Sequence, residues 1–280
     1  MDVLRTHDLR ARLVDALLAS GVIHSPAVAD AMRSVPRHLF ASWLSLEQAY
    51  ADQAFPLPNR SSEGRSSLSQ PSTVACMLQA LAAAPGHAVL EIGTGTGYNT
   101  ALLSHLVGPH GRVVSIDIEA DLVYAARRKL TAIGASNVET LCRDGTLGTP
   151  EHAPFDRVLA TVGVWEVPWA WADQLAVGGR LLAPVHLGGP ADGFVLLDLE
   201  LDGDHLAGVS VASLLMVPAR GTAGTDDTPP ASRSGARWQG APADRLRVRI
   251  HRGCAPSSPG PGQKVIPKRA STVVLERRPG

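Results

Sequence analysis

Val89-Leu90-Glu91-Ile92-Gly93-Thr94-Gly95-Thr96-Gly97-Tyr98-Asn99 carries a short apolar stretch through three closely spaced glycines into a helical pattern that runs on to Leu106. Strand, glycine turn and helix in that order open a parallel α/β unit, because glycine lets the backbone turn tightly and meet a ligand without a β-carbon in the way. Working outward, the alternation continues. Strand patterns are expected at 88–92, 112–116, 138–142, 157–161, 180–185 and 194–201, and helices at 98–106, 119–133 and 168–175. The pattern predicts an α/β fold: a doubly wound, Rossmann-like sheet covered on both faces, with its ligand beyond the carboxyl ends of the strands.

Apolar residues at Leu9, Leu13, Ala16 and Leu17 predict an amphipathic helix over 9–20, and a second helix is expected over 26–35. Residues 50–68 are rich in Pro, Asn and Ser and read as a loop. Residues 71–84 then set Val74, Met77, Leu78 and Leu81 on one helical face, stopped by Pro85-Gly86. After Pro218 the composition shifts to Gly, Thr, Ser, Pro and Ala, so 221–240 reads as a linker, followed by alternating stretches at 246–250 and 271–275 that predict a small β appendage. The expected division is 1–70 for N-terminal helices and a substrate loop, 71–218 for the main α/β domain, and 219–280 for the linker and a basic extension.

Net charge is zero, but residues 219–280 hold 12 Lys and Arg against 4 Asp and Glu, a balance of +8 that leaves −8 on the rest. Such a tail is either a solvated extension or a surface that attracts acidic partners; no nucleic-acid function is expected. With 45% hydrophobic and 19% charged residues the chain can bury a core. No apolar run reaches the roughly 18 residues that a membrane span needs. Cys76, Cys142 and Cys254 form no CxxC pair and the His residues no HExxH spacing, which argues against a disulfide framework or a metal site. Met1-Asp2-Val3-Leu4-Arg5 lacks a basic start followed by an apolar stretch, so a cytoplasmic setting is expected.

The glycine turn narrows the ligand. A dinucleotide loop, GxGxxG, would want glycine at position 98, which is Tyr98, and a phosphate loop would want Lys followed by Ser or Thr, which is absent. What remains is Glu91 two residues ahead of a GxGxG turn, suited to a ligand with a cationic amino acid end and no phosphate; S-adenosylmethionine is such a ligand. Gly93, Thr94, Gly95, Gly97 and Asn99 are the turn residues expected to hold it. Asp117, 24 residues past Gly93, ends the second strand, where it can accept from ribose hydroxyls or merely begin the next helix. Asp144-Gly145 follows the third strand, near the expected adenine, though Asp-Gly is also a common turn pair.

Over roughly residues 9–218 the chain resembles the protein-L-isoaspartate O-methyltransferases. The likeness rests on Val35-Pro36-Arg37-His38-Leu39-Phe40, Ala49-Tyr50-Ala51-Asp52, Ser69-Gln70-Pro71 with Met77, residues 90–97, Arg143-Asp144-Gly145, Pro154-Phe155-Asp156, Asp173-Gln174-Leu175, Gly178-Gly179-Arg180-Leu181 and Pro184-Val185. The glycine turn alone would indicate only a class I methyltransferase; Val-Pro-Arg-His and Ser-Gln-Pro ahead of it are more specific. The resemblance implies that Ser69 lies against the substrate carboxylate and the transferring methyl, with Gln70 beside it. Read without it, Ser69 is first a helix N-cap ahead of Pro71, a role that can coexist with the other. The sequence departs from the family at Thr161-Val162-Gly163-Val164-Trp165-Glu166, where Val162, Gly163 and Trp165 are expected to border the substrate. Trp165, Trp169 and Trp171 can instead be core packing.

The expected function is S-adenosylmethionine-dependent O-methylation of an L-isoaspartyl or aspartyl carboxylate in a protein or peptide, leading to a succinimide. The same chemistry would serve as a tailoring step on an Asp of a ribosomally made precursor peptide, a reading that the basic extension and the Trp loop invite. A binding-only relative would show a damaged glycine turn, and 91–97 is intact.

Overall fold

The computed structural model describes residues 3–58, 66–187, 193–214, 216–219, 246–252, 263–267 and 271–277. Three helices, α1 (Val3–Ala19), α2 (Pro26–Ser34) and α3 (Leu46–Ala49), open the chain, with a 3-10 turn at Arg37–Phe40 between the last two. Each start has a local cause. Ser25 accepts from the Val28 amide to cap α2, and Ser45 and Gln48 form a capping box at α3. A two-residue antiparallel pair, β1 (Phe55–Pro56) with β2 (Ser67–Leu68), leads to α4 (Pro71–Leu81).

Then come β3 (Ala88–Ile92), α5 (Tyr98–Val107), β4 (Arg112–Asp117), α6 (Ala120–Ala132), β5 (Val138–Cys142), β6 (Phe155–Ala160), α7 (Trp169–Ala172) and β7 (Leu175–Val185). Antiparallel strands β8 (Phe194–Asp202), β9 (His205–Leu214), β10 (Leu246–Arg252), β11 (Gln263–Pro267) and β12 (Ser271–Arg277) complete one sheet of order β11-β12-β10-β9-β8-β7-β6-β3-β4-β5. Strands β5, β4, β3, β6 and β7 are parallel. The chain winds outward from β3 to β5, then returns to β6 on the other side, so the strand order switches between β3 and β6.

The two faces of β3 feed two cores, as a period of two requires. Val89 joins the cluster under α1, α2, α4 and α5, whereas Leu90 and Ile92 join a second cluster with Phe155 and Trp171. Glu91 shares the parity of Val89 and therefore faces α5. Val248 and Ile250 of β10 are buried in the second cluster, and β10 pairs with β9 through Ile250↔Leu206. Arg252 at its end pairs with Asp173 at 2.5 Å and lies over the Trp169 ring at 4.7 Å.

Several elements differ from the sequence pattern: β1 and β2 lie in the stretch expected as a loop, and β11 lies between the stretches expected at 246–250 and 271–275. The helix expected over 168–175 is the single turn α7, because Leu175 already begins β7. Strand β9 was not expected: its centre is Ala207-Gly208-Val209-Ser210, too weakly apolar to read as a strand, and it holds because Gly208 lets the backbone of β9 close onto Asp198 of β8. The linker expected at 221–240 lies outside the described residues. Among them, no helix is long and apolar enough to cross a membrane, and no group of His, Cys, Asp or Glu could hold a metal ion.

Candidate active site

At the carboxyl end of β3 the amides of Gly93 and Thr94 donate to the Ile116 carbonyl at 2.7 and 3.1 Å, which presses the turn against β4. Gly93, Gly95 and Gly97 have φ of 104°, 51° and 87°, the left-handed region open to glycine. A β-carbon on Gly93 would collide with Thr161 Oγ1, a hydroxyl that donates to the Gly93 carbonyl at 2.7 Å. One on Gly97 would stand 3.0 Å from Ala126 Cβ, so that glycine permits α5 to approach α6. One on Gly95 would meet nothing within 4 Å, since Gly95 borders a cavity.

Asp117 ends β4 at the same cavity. Its Oδ2 accepts from the Gly95 amide at 2.9 Å and its Oδ1 from the Glu119 amide at 3.0 Å, tying the carboxylate to the turn and to the approach to α6. Asp144, after β5, accepts from the Thr146 amide at 2.9 Å and the Thr146 hydroxyl at 2.6 Å, and Trp171 Nε1 donates to the Gly145 carbonyl at 2.8 Å. A β-carbon on Gly145 would stand 2.5 Å from Ile92, so this wall closes directly on β3.

Glu91 is fully buried and lies beneath the cavity rather than on it. Its carboxylate accepts from Asn99 Nδ2 at 2.7 Å and from the hydroxyls of Thr100 and Ser115, each at 2.5 Å. Burial pushes its pKa up to about 7 against the pull of those three donors. It braces β3, β4 and α5 together.

The opposite part of the wall comes from the head of α4. Ser69, Gln70, Thr73, Val74 and Met77 line the cavity with Leu68. The capping task open to Ser69 in the sequence is filled from a distance: Asp52 Oδ1 accepts from the Ser72 amide at 2.8 Å and its Oδ2 from Gln70 Nε2 at 3.1 Å. Ser69 is held through its carbonyl, which accepts from Arg37 Nη2 at 2.8 Å. Arg37 is fully buried and also donates through Nε to the Ala49 carbonyl at 2.9 Å. Burial lowers its pKa, and the Tyr98 ring 4.8 Å from its guanidinium carbon has its own pKa pushed up to about 12 by burial.

The cavity thus brings together Ser69, Gln70, Gly93, Thr94, Gly95, Asn99, Asp117, Asp144, Gly145 and Val162. Glu91, Gly97, Gly163 and Trp165 do not line it. Gly163 stands one layer behind: its amide donates to the Val217 carbonyl and its carbonyl accepts from the Ala219 amide, and Val217 and Ala219 are wall residues. Trp165 stacks on His186 at 5.1 Å and meets Phe194 edge-on at 5.2 Å. Sequence reasoning gave no site role to Tyr98, Thr73 or the segment from Met216 to Ala219, and left Trp171 open between core packing and peptide binding; all of them line the cavity. Among those given no role, only Tyr98 carried a signal, its place directly after the last glycine.

One wall therefore offers backbone freed of a β-carbon and two strand-end carboxylates, and the other a hydroxyl and an amide at a helix start. Such a cavity can hold a cationic nucleoside against the first wall and a carboxylate against the second.

The family model for protein-L-isoaspartate(D-aspartate) O-methyltransferase matches residues 8–221. A protein-L-isoaspartate O-methyltransferase of Methanoregula boonei is 39% identical over 220 residues, covering 79% of this chain and 96% of that one. Another, from Syntrophobacter fumaroxidans, is 43% identical over 176 residues, 63% of this chain and 78% of that one. A solved protein-L-isoaspartate O-methyltransferase superposes with a TM-score of 0.71 at 34% identity, covering 77% of this chain and 67% of that one. A Plasmodium falciparum structure described as such an enzyme in complex with S-adenosyl-L-homocysteine has a TM-score of 0.64 at 19% identity, over 75% of this chain and 98% of that one, a likeness of fold.

Proposed function

The chain belongs to the protein-L-isoaspartate O-methyltransferase family, and from that membership we propose how its cavity carries out the family's reaction. The enzyme esterifies the carboxylate of an L-isoaspartyl residue in a protein, with S-adenosylmethionine as cofactor; precursor-peptide tailoring finds no support in the relatives named above. Bound S-adenosylmethionine supplies a methyl group made electrophilic by its sulfonium. The residues present fit that cofactor. Gly95 offers open space where any other residue would carry a β-carbon, and Asp117 and Asp144 face the same space with carboxylates. Asp117 would accept from the ribose hydroxyls, the Asp144-Gly145 segment would border the adenine, and Asn99 and Thr94 would complete the cradle. Glu91 would contribute from beneath, by holding Asn99 and the turn in place.

An ordinary carboxylate, with a pKa of about 4, is already an anion at neutral pH, so the substrate requires no general base. The task left to the protein is alignment and exclusion of water. Ser69 would donate its hydroxyl to one oxygen of the substrate carboxylate, Gln70 would border it, and Val162, with Gly163 behind it, would form the apolar side. Trp165 would act on that side through the Phe194 packing. The methyl ester can expel methanol where the carboxylate would have to expel oxide, so once the product has left, the following backbone nitrogen attacks the ester carbonyl, gives up its proton and closes a succinimide with release of methanol.

The observation that carries this assignment is the shared cavity of Ser69 and the glycine turn. Ser69→Ala should lower kcat/KM for an isoaspartyl peptide by about 10- to 100-fold, the worth of one hydrogen bond to a charged group. The affinity for S-adenosylhomocysteine, read by calorimetry, should stay within about twofold. Equal losses in both would remove Ser69 from the substrate side.

A further inference from the structure

Arg37 is a buried cation that makes no direct ion pair with a carboxylate among the described residues, Asp52 acting on it only across the packing. It is fully buried, and its two hydrogen bonds go to carbonyls, those of Ala49 and Ser69, rather than to carboxylates. Its third nitrogen, Nη1, is buried with no hydrogen-bond partner by geometry among the described residues, and the neutral Tyr98 side chain beside the guanidinium is the group that favours its charge at contact range. The acid that acts on it across the packing, Asp52, has both oxygens engaged by the Ser72 amide and the Gln70 side chain. Buried guanidinium groups are ordinarily paired, because stripping water from an uncompensated charge is expensive. A neutral side chain could bridge two carbonyls without that cost, so a purely mechanical strut does not explain a cation at this position.

Its surroundings point to the missing negative charge. Arg37 touches three pieces of chain: Ala49 at the end of α3, Ser69 at the head of α4, and Tyr98 at the start of α5. Ser69 and Tyr98 line the cavity, which Arg37 itself does not.

Resting on the assignment of Ser69 to the substrate carboxylate, we propose that Arg37 is a positioning residue whose buried charge, one residue behind the wall, selects an anionic isoaspartyl side chain. The planar fork fixes the Ser69 carbonyl, and with it the direction of the hydroxyl. The net positive charge favours a carboxylate over a neutral amide of the same shape. Both effects act on the substrate and leave the cofactor side alone.

The experiment uses the full-length protein saturated with S-adenosylhomocysteine. Calorimetry compares one short peptide carrying an isoaspartyl residue with the same peptide carrying the corresponding carboxamide, for the native protein, Arg37→Gln and Arg37→Lys. The native protein should prefer the carboxylate by about tenfold or more, the scale of a hydrogen bond to a charged group. Arg37→Gln should lose that preference while its affinity for S-adenosylhomocysteine and its melting temperature identify it as folded. Arg37→Lys, which keeps the charge and loses the fork, should keep the preference while kcat falls. A preference that persists in folded Arg37→Gln overturns the proposal, leaving Arg37 a strut. If Arg37→Gln does not fold, Arg37→Lys decides: a lysine variant that binds both peptides equally overturns it too. No preference in the native protein would instead strike the assignment of the cavity itself, a failure distinguishable from that of Arg37 alone.

Discussion

One added carbon at Gly93 and one at Gly95 should divide their costs differently between fold and cofactor. At Gly93 it would meet Thr161 on a backbone with φ of 104°, so Gly93→Ala should lower the melting temperature and abolish cofactor binding together. At Gly95 it would meet only open cavity, so Gly95→Ala should cost the fold about 1 kcal/mol of backbone strain and cost cofactor affinity more than about tenfold. Thermal unfolding beside calorimetry with S-adenosylhomocysteine checks both, and an alanine at 95 that binds normally would show that the ligand does not approach that turn. Glu91 makes a different prediction. Its pKa in the fold is about 7, above the value of an exposed carboxyl, so the folded state holds its proton more tightly than the unfolded chain. Its contribution is full at low pH and is lost as pH rises through about 7, a fall on the order of 3 kcal/mol that Glu91→Gln should flatten in urea titrations at pH 5 and pH 8. All three residues were singled out from the sequence for the same ligand, yet only the two glycines reach the cavity. The clue lay in parity: Glu91 alternates with Val89, not with Ile92, and so points beneath α5.

At the scale of elements, α4 shows where local reading stops. Pro71 marked its start, but the acceptor for its first free amide, that of Ser72, is Asp52, twenty residues upstream, a pairing that no spacing rule encodes. Asp52→Ala should therefore destabilise the protein by about 1 kcal/mol, as loss of a helix cap does, and raise KM for the peptide more than it weakens cofactor binding. Matching urea curves for the variant and the parent would show that the cap is supplied by something else. The parallel strands were legible because each holds a short apolar or alternating stretch next to a turn. Strand β9 was not, because its pairing depends on a glycine that lets two backbones meet. The two-residue pair of β1 and β2 that carries Leu68 to the cavity is too short to leave any pattern.

Over the whole molecule, the C-terminal strands extend the sheet past β9, and Val248 and Ile250 lie in the same core as Leu90 and Trp171. Removing residues 246–280 would uncover Leu206 and Leu199 and leave β9 as an unpaired edge. Two buried aliphatic side chains are worth about 1.5–3 kcal/mol each, so the truncated protein should melt several degrees lower and aggregate near its transition, which calorimetric scanning and light scattering would report. An unchanged melting point would mean that the core closes without them. The Arg252 clamp on Trp169 and Asp173 links this extension to α7, and two residues on Trp171 reaches the Gly145 carbonyl at the cavity wall. That indole is buried, donates to a carbonyl and lines the cavity. Adenosine bound there should therefore alter the ultraviolet emission of the polypeptide itself, so that loading and release could be followed by stopped flow without attaching a dye.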